Sequence, residues 1–188
     1  MSHTATVKTV PIKSVRALNK AVEELKASGI KCDLLRDAVP RMFYKDQITK
    51  HLSTNQNYRL NGQNDVCDFV LSLPNCFYDI AFVKHRDGHY EPVFDNFVFP
   101  PASSYSGENR GTKSIKDELG LNMQGAKAQG YSSAGAMEAA EATMCSIGKF
   151  LQSYSKHAAI EAAEDAGYMV SSVDVNEKGE VVLEVEIN

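Results

Sequence analysis

Two histidines bracket one short turn, His85-Arg86-Asp87-Gly88-His89. Apolar runs flank it, Phe77 to Lys84 and Tyr90 to Phe94, and Asp-Gly supplies the positive-φ residue that a hairpin turn needs. His85 and His89 should therefore face each other. Two imidazoles at that spacing could hold a metal ion, but a stable site takes a third and usually a fourth ligand. Asp87 is nearest in sequence, and the turn is expected to aim it away. The expectation is an exposed hairpin tip, with no metal and no cofactor. Cys76 follows Pro74-Asn75 and could present a thiol, although one cysteine is weak evidence for nucleophilic chemistry.

A second group of candidates shares one apolar-patterned segment. Ile147, Phe150, Leu151, Tyr154 and Ala158 recur at helical spacing. His157 lies at the edge of that face, and Glu161, one turn on, falls near its centre. A carboxylate there should be paired or have a raised pKa. A half-buried His157–Glu161 pair is the expected arrangement; the enzymatic one makes them a base and its orienter. With Asp79, His3 and Tyr154 they form the candidate binding set, provided the fold brings them into one pocket. A third candidate is Gly107 to Ser114. It keeps the first Gly, the Lys and the Ser of a phosphate loop but puts Thr112 where the second Gly must lie, and a Cβ there obstructs the wrap. A basic loop tip is expected instead, with Tyr105, Arg110 and Lys113 available to a partner. Neither G-x-S-x-G nor H-E-x-x-H occurs. No catalytic residue is assigned, and an enzyme is not expected.

These side chains sit in a chain of 188 residues with 43% hydrophobic and 23% charged residues, ordinary globular usage. A net charge of −4 and a mean hydropathy of −0.30 argue against disorder throughout and against a nucleic-acid binder. No stretch approaches the roughly 20 apolar residues of a membrane helix, and Met1 to Lys8 lacks the apolar core of a secretory signal. Cys32, Cys67, Cys76 and Cys145 have no zinc-like spacing. Free buried thiols in the cytoplasm are expected.

The elements follow from local patterning. Residues 3–10 read as a strand. Ser14 caps a helix that buries Val15, Leu18, Val22 and Leu25 and stops at Gly29. Ile30 to Asp37 and residues 66–73 read as further strands. Pro92 marks the second hairpin arm as an edge or a bulge. Residues 100–135 are rich in Gly and Ser and read as an inserted flexible arm. A helical segment from Ala136 to about Asp165, divided at Gly148, precedes a C-terminal hairpin. There Val181, Leu183 and Val185 alternate with Glu180, Glu184 and Glu186, so one face is apolar and the other acidic. The fold class is α+β: one domain over 1–188, with a mostly antiparallel sheet, two main helices on one face and a C-terminal β-hairpin.

Several segments together resemble a known family. They are Met1-Ser2-His3 with Val7-Lys8-Thr9; Tyr78-Asp79-Ile80-Ala81-Phe82-Val83 with Asp87-Gly88 and Tyr90 to Asp95; and Phe150 to Tyr154 with Ala166-Gly167-Tyr168 and Lys178-Gly179. In order and spacing they are similar to the conserved plastid-encoded "ycf"-type proteins of unknown function, which have cyanobacterial, bacterial and tailed-phage relatives. Residues 40–64 and 100–146 look longer than that pattern, as in a phage-type member. The resemblance implies the fold and no catalytic residues. Some relatives lie beside a gene for an AAA-type ATPase, which implies such a partner. The leading expectation is a non-catalytic accessory module that binds a host protein and modulates it, with a homodimer as a further possibility. The alternatives are a small-ligand or nucleotide-sequestering protein and a small metal-assisted hydrolase.

Overall fold

Ser14 starts the first helix by accepting a hydrogen bond from the Ala17 N–H (2.9 Å), which satisfies one of the donors that a helix start leaves open. The computed structural model describes residues 4–6, 11–42, 58–59, 66–95, 111–121, 146–175 and 181–186. Their order is β1 (Thr4–Thr6), α1 (Val15–Ala27), β2 (Asp33–Ala38), β3 (Tyr58–Arg59), β4 (Cys67–Ser72), β5 (Ile80–His85), β6 (Tyr90–Asp95), α2 (Ile115–Leu119), α3 (Gly148–Asp165), β7 (Met169–Val175) and β8 (Val181–Glu186). Gly29, at φ 89°, closes α1.

The main sheet is antiparallel throughout, in the order β1-β6-β5-β4-β2, and β3 joins β5 where β4 ends. The fold is α+β, as the sequence pattern implies. Helices α1 and α3 pack on each other and on one face of the sheet. Leu18, Leu71, Ile80, Phe82, Phe94 and Phe150 meet there, with the Phe82 and Phe150 rings 5.4 Å apart. The other face carries a second buried group, Met42, Cys67, Val70, Ala81, Val83 and Val93. Alternate side chains of β4, β5 and β6 therefore feed two apolar layers, which makes these strands the rigid centre.

Three features depart from the sequence pattern. Strand β5 starts at Ile80 rather than Phe77, because Phe77 and Tyr78 turn into the core and Asp79 is drawn to Arg41. Pro92 is not at an edge, since β6 lies between β1 and β5. Tyr90 turns its N–H to Ile12 O (2.8 Å), and Pro92, two residues on, points the same way. Its missing N–H is therefore not needed by β5.

Finally, residues 111–121 of the expected arm are built into the body. Lys113 bridges in parallel to Cys76, and Ser114 and Asp117 form a reciprocal capping box for α2, which buries Ile115 and Leu119. Gly148 opens α3 beside this segment. A Cβ there would stand 2.7 Å from Leu121 Cβ, so the approach needs glycine. Residues 100–110 and 122–135, including Tyr105 and Arg110, lie outside the described residues.

Candidate functional site

The β5–β6 turn brings together the residues with the most pronounced metal-ligand chemistry. The His85 N–H donates to His89 O (2.7 Å) and the Gly88 N–H to His85 O (3.0 Å), with Gly88 at φ 97°. This three-residue loop, with a glycine in the left-handed region, is a favoured hairpin closure. It places the two imidazoles face to face, 4.5 Å between centroids and 19° between planes. The expected facing of His85 and His89 is present, but the expectation for Asp87 is corrected. Its side chain folds back over the turn, with Oδ1 2.9 Å from His85 Nδ1 and 2.5 Å from His89 Nδ1. The reason is local: the His89 N–H also reaches Oδ1 (3.4 Å), and two imidazoles offer more than solvent at this point. Desolvation raises the Asp87 pKa. The hydrogen bond from His85, the His89 backbone N–H and the charges of both imidazoles outweigh it and hold the carboxyl below its usual range. Behind the turn, His89 Nε2 lies 3.5 Å from Oε1 of the buried Glu91.

The helix pair tells a different story. His157 does not pair with Glu161. It reaches across to α1, where its Nε2 is 3.0 Å from Glu24 Oε2. Glu24 also accepts from Ser153 Oγ (2.6 Å) and pairs closely with Lys156. Burial raises the Glu24 pKa, but these hydrogen bonds and the charges of Lys156 and His157 bring it below the ordinary value. Burial holds the His157 imidazole below its usual pKa, against the opposing pull of Glu24. Glu161 instead takes a 2.5 Å hydrogen bond from Ser14 Oγ at the start of α1. The buried Tyr154 hydroxyl accepts from the N–H groups of Lys13 and Ser14 (2.8 and 3.1 Å). Helical spacing sets Glu161 one turn from His157 on one helix, while packing gives each a partner at the other.

Asp79 stands apart from these. It is 3% exposed, is held by the Arg41 guanidinium (2.6 and 3.0 Å), and accepts from the Arg41 and Leu73 N–H groups (2.9 and 3.0 Å). Every one of these partners orders a chain crossing, so the arrangement has the character of a structural latch. The candidate set therefore divides: Tyr154 and Glu161 meet at Ser14, His157 meets Glu24, and Asp79 is elsewhere. His3 lies outside the described residues. Lys113 is exposed and spends its ammonium on the buried Glu118 (2.5 Å). Cys76 is not a presented thiol; it is fully buried, and burial with the Glu118 charge pushes it up to about 12. Arg41, Glu24 and Ser14 carried no site signal in the sequence. Their partners are 38 to 147 residues away, so no local spacing marks them.

Between α1 and α3 lies an open cleft of about 340 Å³, lined by Glu24, Ser28, Ile30, Lys149, Gln152 and Lys156 among others. The last surface of note is the C-terminal hairpin. Among the described residues, β7 and β8 pair only with each other. The register puts Met169 opposite Glu186, Ser172 opposite Glu184 and Asp174 opposite Val182, all on the outer face. Half-buried Val170, Val173 and Leu183 occupy the inner face, toward α3. Met169 and Val182 remain 53% and 47% exposed between the carboxylates. Among the described residues, no helix is long and apolar enough to cross a membrane. No family model, curated protein or solved structure matches this chain.

Proposed function

We propose that this protein is an interaction module that offers the outer face of its C-terminal hairpin to a basic, extended protein segment. One observation carries the reading: a two-stranded sheet, paired with no other described strand, joins Asp174, Glu184 and Glu186 to exposed Met169 and Val182 on a single face. Lys or Arg at alternate positions of an added strand would meet the carboxylates, apolar residues would cover Met169 and Val182, and the strand edge supplies backbone hydrogen bonds. Its non-catalytic character rests on the sequence, which lacks a nucleophile or metalloprotease motif, and is supported by the burial of Cys32, Cys67 and Cys76. Those free thiols also suit a reducing, cytoplasmic compartment. The family resemblance supplies the first partners to try: an AAA-type ATPase and, for a phage-type accessory protein, a host protein.

The test is capture on immobilised full chain, wild type beside a Glu184→Lys/Glu186→Lys variant. The expected result is a partner held by the wild type, lost by the variant, and bound through a basic segment. Equal capture by both, or capture of nothing but a second copy of the chain, overturns the reading.

A small-ligand role is favoured by the cleft between α1 and α3. Two of its cations, however, are already engaged, Lys156 by Glu24 and Lys149 by Glu118 O (2.9 Å). An anion entering there would have to compete with bonds the fold uses, so the hairpin reading is preferred.

A further inference from the structure

We propose that the β5–β6 turn is a transition-metal site, with His85 Nδ1, His89 Nδ1 and Asp87 Oδ1 as the protein ligands of a Zn²⁺ ion. These three atoms lie within 4.8 Å of one another. Two imidazoles with one carboxylate are a borderline nitrogen-and-oxygen set. That set suits zinc and its first-row neighbours, and it is not the all-oxygen set that magnesium and calcium take. Three protein ligands leave at least one position for water or for a donor from a bound molecule, the pattern of open rather than closed zinc sites.

The scaffold is suited to this. His85 ends β5 and His89 directly precedes β6, two neighbouring strands inside the sheet, and β3 pairs with β5 at the same end through Tyr58–His85. Each coordinating imidazole uses Nδ1, so its remaining proton is on Nε2. For His89 that atom faces Glu91 Oε1 at 3.5 Å, with the Glu91 side chain only 9% exposed. A carboxylate behind a ligating histidine is the usual support that fixes the tautomer and raises ligand basicity.

Ion entry requires a defined rearrangement. Ligands about 2.0–2.2 Å from zinc stand roughly 3.3 Å apart in a tetrahedron, whereas Asp87 Oδ1 is 2.9 and 2.5 Å from the two nitrogens. The carboxylate must withdraw by less than about 1 Å, and the near-parallel rings must splay so that their in-plane lone pairs converge. The Asp87 side chain is 62% exposed and free to make that movement without disturbing the sheet. The ion then takes the place of any proton on the two Nδ1 atoms, which is released to solvent.

Calorimetric titration of the full chain with Zn²⁺ tests the site, with excess Mg²⁺ present as competitor. Co²⁺ is the spectroscopic probe, its visible bands reporting nitrogen and oxygen ligation in a low-coordinate geometry. One ion per chain is expected, undisturbed by Mg²⁺. Affinity should fall about tenfold or more in His89→Asn and in Asp87→Asn, with a smaller fall in Glu91→Gln. Each variant is first checked for an unchanged circular dichroism spectrum, and His85→Asn replaces any that fails. Absence of stoichiometric binding at tens of micromolar chain overturns the proposal. So does binding that survives loss of either histidine, or that survives Asp87→Asn, because the remaining histidines of the chain would then account for it.

Discussion

At the scale of single residues, the polar side chains of this protein are spent on crossings between distant segments. Asp79 and Arg41 tie the start of β5 to the segment after β2, and removing Arg41 would leave the buried Asp79 carboxylate without its counter-charge. His157 and Glu24 do the same between the helices. The His157 imidazole has its pKa lowered by burial, with Lys156 and Lys20 adding to the effect and Glu24 opposing it. A histidine with a folded-state pKa below its unfolded value binds protons more weakly when folded. Its contribution to stability is complete above the unfolded value of about 6.5 and drains away as pH falls through the lowered folded value. Glu24, also lowered, adds a second loss in more acidic solution. Thermal unfolding should therefore shift to lower temperature from about pH 7.5 to about pH 5.5, and His157→Gln should flatten that slope. A slope identical in the two proteins would show that His157 does not carry it.

At the scale of elements, the ends of helices and strands explain more than their middles. Ser14 acts twice: its hydroxyl oxygen accepts from the Ala17 N–H, and its proton goes to Glu161 on α3. The cap alone is worth about 1 kcal/mol. Ser14→Ala should cost at least that much in denaturant unfolding, since Glu161 also loses its donor. Ser14→Asp separates the two roles. It keeps a good cap but sets a second carboxylate against Glu161, so it should be no more stable than Ser14→Ala. Recovery of wild-type stability by Ser14→Asp would mean that the cap is the whole effect. The α1 boundaries, its buried stripe and its stop at Gly29 were all legible in the chain, because capping and helical period are local properties. Glu161 was legible as a carboxylate needing a partner, and the partner was not. A partner 147 residues away leaves no trace in spacing.

At the scale of the whole molecule, the two sheets differ in how they are held. Strands β4 to β6 are covered on both faces by apolar layers, while β7 and β8 lean on α3 with one face and present carboxylates with the other. An isolated two-stranded hairpin is marginal in water, so this one depends on α3 for its stability. Amide hydrogen exchange should be much faster in β7–β8 than in β4–β6. Equal protection in the two sheets would mean that the hairpin is covered in solution, by a second copy of the chain for instance. The sequence by itself determined the α+β class, the Ser14 cap and Gly29 stop of α1, the His85–His89 turn and the carboxylates of the last strand. All of these depend on residues within a turn or a few positions of one another. Only the tertiary structure decided that His157 answers Glu24, that Pro92 lies inside the sheet and that residues 111–121 pack into the core. Those outcomes depend on which distant surfaces meet, and on the cost of leaving a charge or a backbone group without a partner once they do.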